Sequence, residues 1–113
     1  MEFNEVLALR KSVRRYTKEI VSQEDEKAML DAAMASSVGK HNDGGYNLVV
    51  VRDREILDLI AKEEKEETGG GDPLFGAPLL FLICRTKEAV DYLMRYDAGI
   101  IAEHIHLKAA ELG

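Results

Sequence analysis

The sequence predicts a fold that mixes helices with a few buried strands, α/β or α+β by pattern alone. Apolar residues recur at helical spacing in several stretches, whereas Leu48–Val51 and Leu79–Cys84 are continuously apolar, as strands covered on both faces are. Segments rich in Gly, Asn, Asp and Pro separate these runs. The order is helix, helix, strand, helix, strand, and helical again to the end.

Each element has a local reason. Phe3, Val6 and Leu7 fall on one face, which predicts a short helix from Asn4 to Lys11. Residues 14–20 are polar and read as extended. Ser22 is placed to cap a helix that carries Met29, Leu30, Ala32, Ala33 and Met34 and ends near Ser36. Residues 37–45 form a loop where positive φ is cheap. The segment Tyr46–Arg52 reads as a strand. Asp53 then caps a helix with Ile56, Leu57 and Ile60 in one stripe and a charged end at Lys62–Glu67. The piece Thr68–Pro78 is the least structured, and its Gly69-Gly70-Gly71 reads as a mobile connection or lid. Leu79–Cys84 is the second strand. Thr86 is expected to cap a helix over Lys87–Arg95, and Asp97 another that buries Ile101, Ile105, Leu107 and Leu112.

Composition narrows the function classes. At 113 residues, 46% hydrophobic and 32% charged, the chain suits one globular domain with an aliphatic core, for it has no Trp. The net charge of −6 argues against nucleic acid and anionic membrane as partners. Yet four of the 15 basic residues fall between Arg10 and Arg15, a local cationic spot suited to one small anionic ligand. The single cysteine, Cys84, allows no disulfide within the chain and fits a reducing compartment. No apolar stretch approaches the ~20 residues of a membrane helix, and Met1–Leu9 lacks a signal peptide's apolar core. A soluble, cytoplasmic protein is expected.

The run Arg10-Lys11-Ser12-Val13-Arg14-Arg15 admits two readings. Guanidinium forks, an ammonium and a hydroxyl are the donors that bind phosphate oxygens. In an extended chain Ser12 and Arg14 share a face while Val13 points inward. Alternatively, the run is a cationic helix end that balances the macrodipole. The loop Gly39-Lys40-His41-Asn42-Asp43-Gly44-Gly45 likewise reads as a place where backbone and the Asn42 carboxamide meet a ligand, or as an Asx-rich turn before a strand. Gly69-Gly70-Gly71 lacks the Gly-Lys-Ser/Thr ending of a phosphate loop. His104 and His106, two apart on a helix, cannot share a metal, and His41 is remote, so no metal site is expected. Cys84 reads as a small core residue. No catalytic residue is legible.

Taken together, these residues resemble the nitroreductase family of FMN-dependent oxidoreductases. The resemblance runs from Leu9-Arg10-Lys11-Ser12-Val13-Arg14-Arg15-Tyr16, similar to the family's R-x-S-x-R opening and following aromatic residue, through Val21-Ser22 and Ala32-Ala33-Met34. It continues with Asn42 and Asn47–Asp53, Ala77-Pro78-Leu79-Leu80, and Asp97-Ala98-Gly99 with the helix to Gly113. It implies an α+β nitroreductase fold, a central, mostly antiparallel sheet flanked by helices in three α/β/α layers, with residues 1–113 as a single domain. It also implies that Arg10 and Ser12 contact the FMN phosphate and that Lys11 supports it. Arg14 would reach the ribityl chain or pyrimidine edge, and Asn42 the pyrimidine edge of the isoalloxazine. The implied activity is hydride transfer from NAD(P)H through FMN to a small-molecule electron acceptor such as a nitroaromatic, quinone or flavin, in a homodimer.

The sequence also differs from the family. Where members usually have Pro-Ser before the Asn and Gln-Pro-Trp after it, Val38-Gly39 and Asp43-Gly44-Gly45-Tyr46 stand here. Family members continue beyond the Leu-Gly of the last helix, so the chain is expected to be incomplete at its C-terminal side. The alternative is a shortened, non-catalytic dimeric module that binds flavin or another phosphorylated ligand.

Overall fold

The computed structural model describes residues 1–113, the side chain of Asp43 apart. Helix α1 spans Phe3–Leu9, α2 Gln23–Met34, α3 Arg54–Thr68 and α4 Met94–Leu112; the strands are β1, Tyr46–Val51, and β2, Leu80–Arg85. Single 3₁₀ turns at Gly39–His41 and Asp43–Gly45 lead into β1.

Capping chemistry sets most of the helix limits. The Ser22 hydroxyl accepts from the Asp25 N–H at 3.0 Å, so α2 starts where the sequence predicts. Its first turn carries Glu24, Asp25 and Glu26, which the helix dipole favours. The Asp53 carboxylate accepts from the N–H groups of Glu55 at 2.8 Å and Ile56 at 3.2 Å and starts α3. Gly69, at φ 72°, ends α3 in the left-handed conformation that glycine adopts without a Cβ clash. Helix α1 stops at Leu9, two residues before its expected end, because Arg10 is extended at φ −59°, ψ 127°.

The strands pair into a two-stranded antiparallel sheet, the Thr86 N–H donating to the Gly45 carbonyl at 2.9 Å where the two meet. Neither is covered on both faces as their apolar runs predict. Val49 is 43% exposed and β2 is half-buried from Leu80 to Cys84, since each strand has a single neighbour among the described residues.

Another expectation fails for a local reason. No helix forms over Lys87–Arg95. Thr86 instead donates its hydroxyl to the Gly44 carbonyl at 2.7 Å and accepts from the Glu88 N–H at 3.1 Å, which binds the segment to the end of the loop before β1. Turns follow until α4 begins at Met94. The segment after α3 contains a defined turn beyond its glycines. The Asp72 carboxylate accepts from the N–H groups of Leu74 at 2.8 Å and Gly76 at 3.1 Å and folds it into a turn, with Phe75 held at φ 52°.

The chain divides into two compact units. The first comprises Met1–Lys11, Ser22–Leu48 and Ile83–Gly113; the second comprises Ser12–Val21 and Val49–Leu82. In the first, α1 and α2 pack against α4 around Val6, Met29, Ala33 and Ile101. In the second, Val51, Leu57 and Ala77 are buried and the Arg52 guanidinium donates to the Val21 carbonyl at 2.7 Å.

Leu57 is wholly buried, while its neighbour Ile56, expected in the same stripe, is 49% exposed because it lies about a quarter-turn away. Leu57→Ala should therefore cost ~2–5 kcal/mol in urea unfolding, and Ile56→Ala less than half of that. Equal losses would contradict this assignment of the core.

Candidate functional site

The basic run begins where α1 ends. Because Arg10 is already extended, none of its cations lies in the last turn of α1. Arg10 is the C-cap of α1, so it alone stands next to the end of the helix dipole, and the rest of the run lies beyond it. Arg10 is half-buried, its Nε 4.0 Å from the Glu103 carboxylate of α4, a long and solvent-screened pair. The Lys11 carbonyl lies 3.1 Å from Nε2 of His106, which fixes the backbone at this point, and the other ring nitrogen of His106 is 3.5 Å from Glu103. Residues Lys11 to Ile20 are exposed. Among the described residues, the side chains of Lys11, Ser12 and Arg14 make no hydrogen bond or ion pair, so their donors are free for a ligand. Arg10 and Lys11 belong to the first unit, Ser12 and Arg14 to the second.

Asn42 sits in the first unit, in a loop that is tightly held. Lys40 and His41 adopt left-handed backbone at φ 58° and 54°, a conformation that costs a non-glycine residue on the order of 1–3 kcal/mol. Several contacts offset that strain. The buried Asp97 of α4 accepts from the Gly39 N–H at 2.8 Å through Oδ1 and from the Tyr46 hydroxyl at 2.6 Å through Oδ2. A Cβ at Gly39 would come within 2.7 Å of Leu93 Cδ1, so the Leu93 side chain would have to shift for any larger residue. The Lys40 ammonium lies 5.3 Å from the centre of the Tyr92 ring. Asn42 donates through Nδ2 to the Glu88 carbonyl at 2.7 Å, which leaves its Oδ1 as the acceptor for a ligand.

Burial, first, and then the hydrogen bond to Asp97 and that residue's negative charge push the Tyr46 phenol up to about 12, with Arg85 opposing. Asp97 is not the helix cap that its sequence position suggests; it lies inside α4 at 2% exposure. An acid beside the apolar stretch that follows it was the signal available. The two remaining histidines behave as the spacing predicts: His104 Nδ1 lies 3.0 Å from the Ile100 carbonyl, on a different face from His106. Among the described residues no cluster of His, Cys, Asp or Glu could hold a metal, and no helix is long and apolar enough to cross a membrane.

No protein-family model matches. A relative from Archaeoglobus fulgidus, provisionally named as an NADH dehydrogenase/NAD(P)H nitroreductase, is 33% identical over 108 residues, which is 92% of this chain and 59% of that protein. An FMN-dependent nitroreductase from Clostridium difficile superposes with a TM-score of 0.82 at 33% identity, over 96% of this chain and 60% of that one. A nitroreductase with bound FMN from Bacteroides fragilis reaches a TM-score of 0.86 at 20% identity, over 100% and 66% of the two chains. The chain has the nitroreductase fold, of α+β class, and spans about three fifths of the length of the relative from Archaeoglobus fulgidus.

The Tyr46–Asp97 contact makes an alkaline prediction. A phenol raised from 10.0 to about 12 favours the neutral form in the folded protein, so its contribution is full below pH 10 and is lost as the pH rises towards 12. Thermal melts across that window should show wild type losing its advantage over Tyr46→Phe. A difference between the two that is constant with pH would contradict the contact.

Proposed function

We propose that this chain, nitroreductase-like in fold and resembling that family from Leu9 to Gly113, binds FMN and serves an NAD(P)H-dependent oxidoreductase. The observation that carries the reading is the run from Arg10 to Arg15: it leaves the helix at Arg10, is exposed from Lys11 on, and the side chains of Lys11, Ser12 and Arg14 are unpaired among the described residues. Two of its three guanidinium groups (Arg10 and Arg14), the Lys11 ammonium and the Ser12 hydroxyl are the kind of donor set that binds a phosphate monoester, so the residues present fit the phosphate end of FMN.

On this reading Arg10 and Ser12 hold the phosphate, with Lys11 beside them. Arg14 reaches the ribityl chain or the pyrimidine edge. Asn42, its Nδ2 engaged by the Glu88 carbonyl, accepts through Oδ1 from the imide N–H of the isoalloxazine. When bound, FMN would supply the hydride chemistry, and the protein's part is to bind and orient it. The hydride donor is NAD(P)H and the acceptor a nitroaromatic, a quinone or another flavin, with a homodimer as the working form. The names of the relatives support the donor, and the bound FMN of a structural neighbour supports the cofactor.

Fluorescence titration with FMN tests the phosphate grip. Arg14→Ala should weaken binding by ~1.5–3 kcal/mol, the scale of a hydrogen bond to a charged group, and Lys18→Ala should leave it unchanged. Equal effects of the two would contradict the assignment. NADH or NADPH oxidation by the FMN-loaded protein with a quinone acceptor supports the enzyme; saturable flavin binding without oxidation supports the non-catalytic module.

A further inference from the structure

Asn42 can present its carboxamide to a ligand only if the loop that carries it stays where it is, and that loop is strained. Lys40 and His41 are both left-handed, so the extended alternatives of the loop are favoured by its own backbone. What opposes relaxation at its start is a single buried group. Asp97, on the first turn of α4, reaches across to the Gly39 N–H with one carboxylate oxygen and to the hydroxyl of Tyr46, the first residue of β1, with the other. The residues before and after the loop are thus tied to one side chain, and Asn42 lies between them. A buried carboxylate is retained at a cost unless its hydrogen bonds are worth more than its desolvation. Here both oxygens are used by groups that border the Asn42 loop.

We infer that Asp97 is a positioning residue for flavin, acting through Asn42: it sets the loop so that Asn42 Oδ1 meets the ligand without a prior rearrangement. The inference rests on the flavin reading. Its physical basis is preorganisation, since a loop free to relax must be ordered on binding and affinity falls by the fraction of molecules not already in place. Asp97 touches no ligand, so its effect must vanish when Asn42 can no longer respond to it.

A double-mutant cycle on FMN affinity tests this, with wild type, Asn42→Ala, Asp97→Ala and the double variant. Asp97→Ala should weaken FMN about tenfold, equivalent to ~1.4 kcal/mol, and should have no further effect in the Asn42→Ala background. Asp97→Asn should bind within about twofold of wild type, because its Oδ1 still accepts from Gly39 and its amide can donate to the Tyr46 oxygen. Equal losses from Asp97→Ala with and without Asn42, or an Asp97→Asn variant as weak as Asp97→Ala, would overturn the inference while leaving flavin binding intact. Should Asp97→Ala not fold, Tyr46→Phe removes one of the two anchors and enters the same cycle, with the same criterion of non-additivity. If wild type binds no FMN, the functional reading itself fails and takes this inference with it, an outcome distinct from additive losses on a protein that does bind.

Discussion

In the first compact unit, the carboxylate of Asp97 links helix α4, the loop at Gly39 and the start of β1 at Tyr46. Each hydrogen bond to a charged group is worth ~1.5–3 kcal/mol, enough for the pair to match the strain of two left-handed residues. The same carboxylate explains why Tyr46 keeps its proton to about pH 12, and it ties the residues on both sides of the loop before β1 to one side chain. Thr86 and the Glu88 carbonyl hold the far end of the loop. Asn42 is therefore fixed from both sides, with one of its two amide hydrogens engaged and its Oδ1 acceptor free.

The basic run is held differently. Where α1 ends at Leu9, Arg10 turns the chain extended, and His106 fixes the backbone at Lys11. Beyond that point the side chains are exposed and uncommitted among the described residues. On the proposed reading, the tightly fixed loop would meet the isoalloxazine and the loosely solvated cluster the phosphate. The flat isoalloxazine needs a placed acceptor, whereas a phosphate can be gathered by flexible cations whose freedom is lost only on binding.

Much of the fold was legible because it is written in local chemistry. Ser22 and Asp53 cap the helices they were expected to cap. What could not be read depended on partners distant in sequence. Asp97 looks like a helix cap until Gly39 and Tyr46 are brought to it, and Thr86 looks like another until its hydroxyl is taken by Gly44. The apolar runs of β1 and β2 predicted coverage on both faces, which two strands by themselves do not provide. For the candidate site, sequence supplied the residue types and their order; that Asn42 has one free acceptor and that the basic run lies outside the helix required the structure.

The central claim is that this chain grips FMN by its phosphate, and titrating the wild-type protein with FMN and with riboflavin tests it most directly. The two share the isoalloxazine and ribityl chain and differ in the group that the basic run should hold. Binding of FMN about a hundredfold tighter than riboflavin, equivalent to ~2.7 kcal/mol and within reach of a few charge-assisted hydrogen bonds, is the expected result. Equal affinities, or no saturable binding of either, would contradict it.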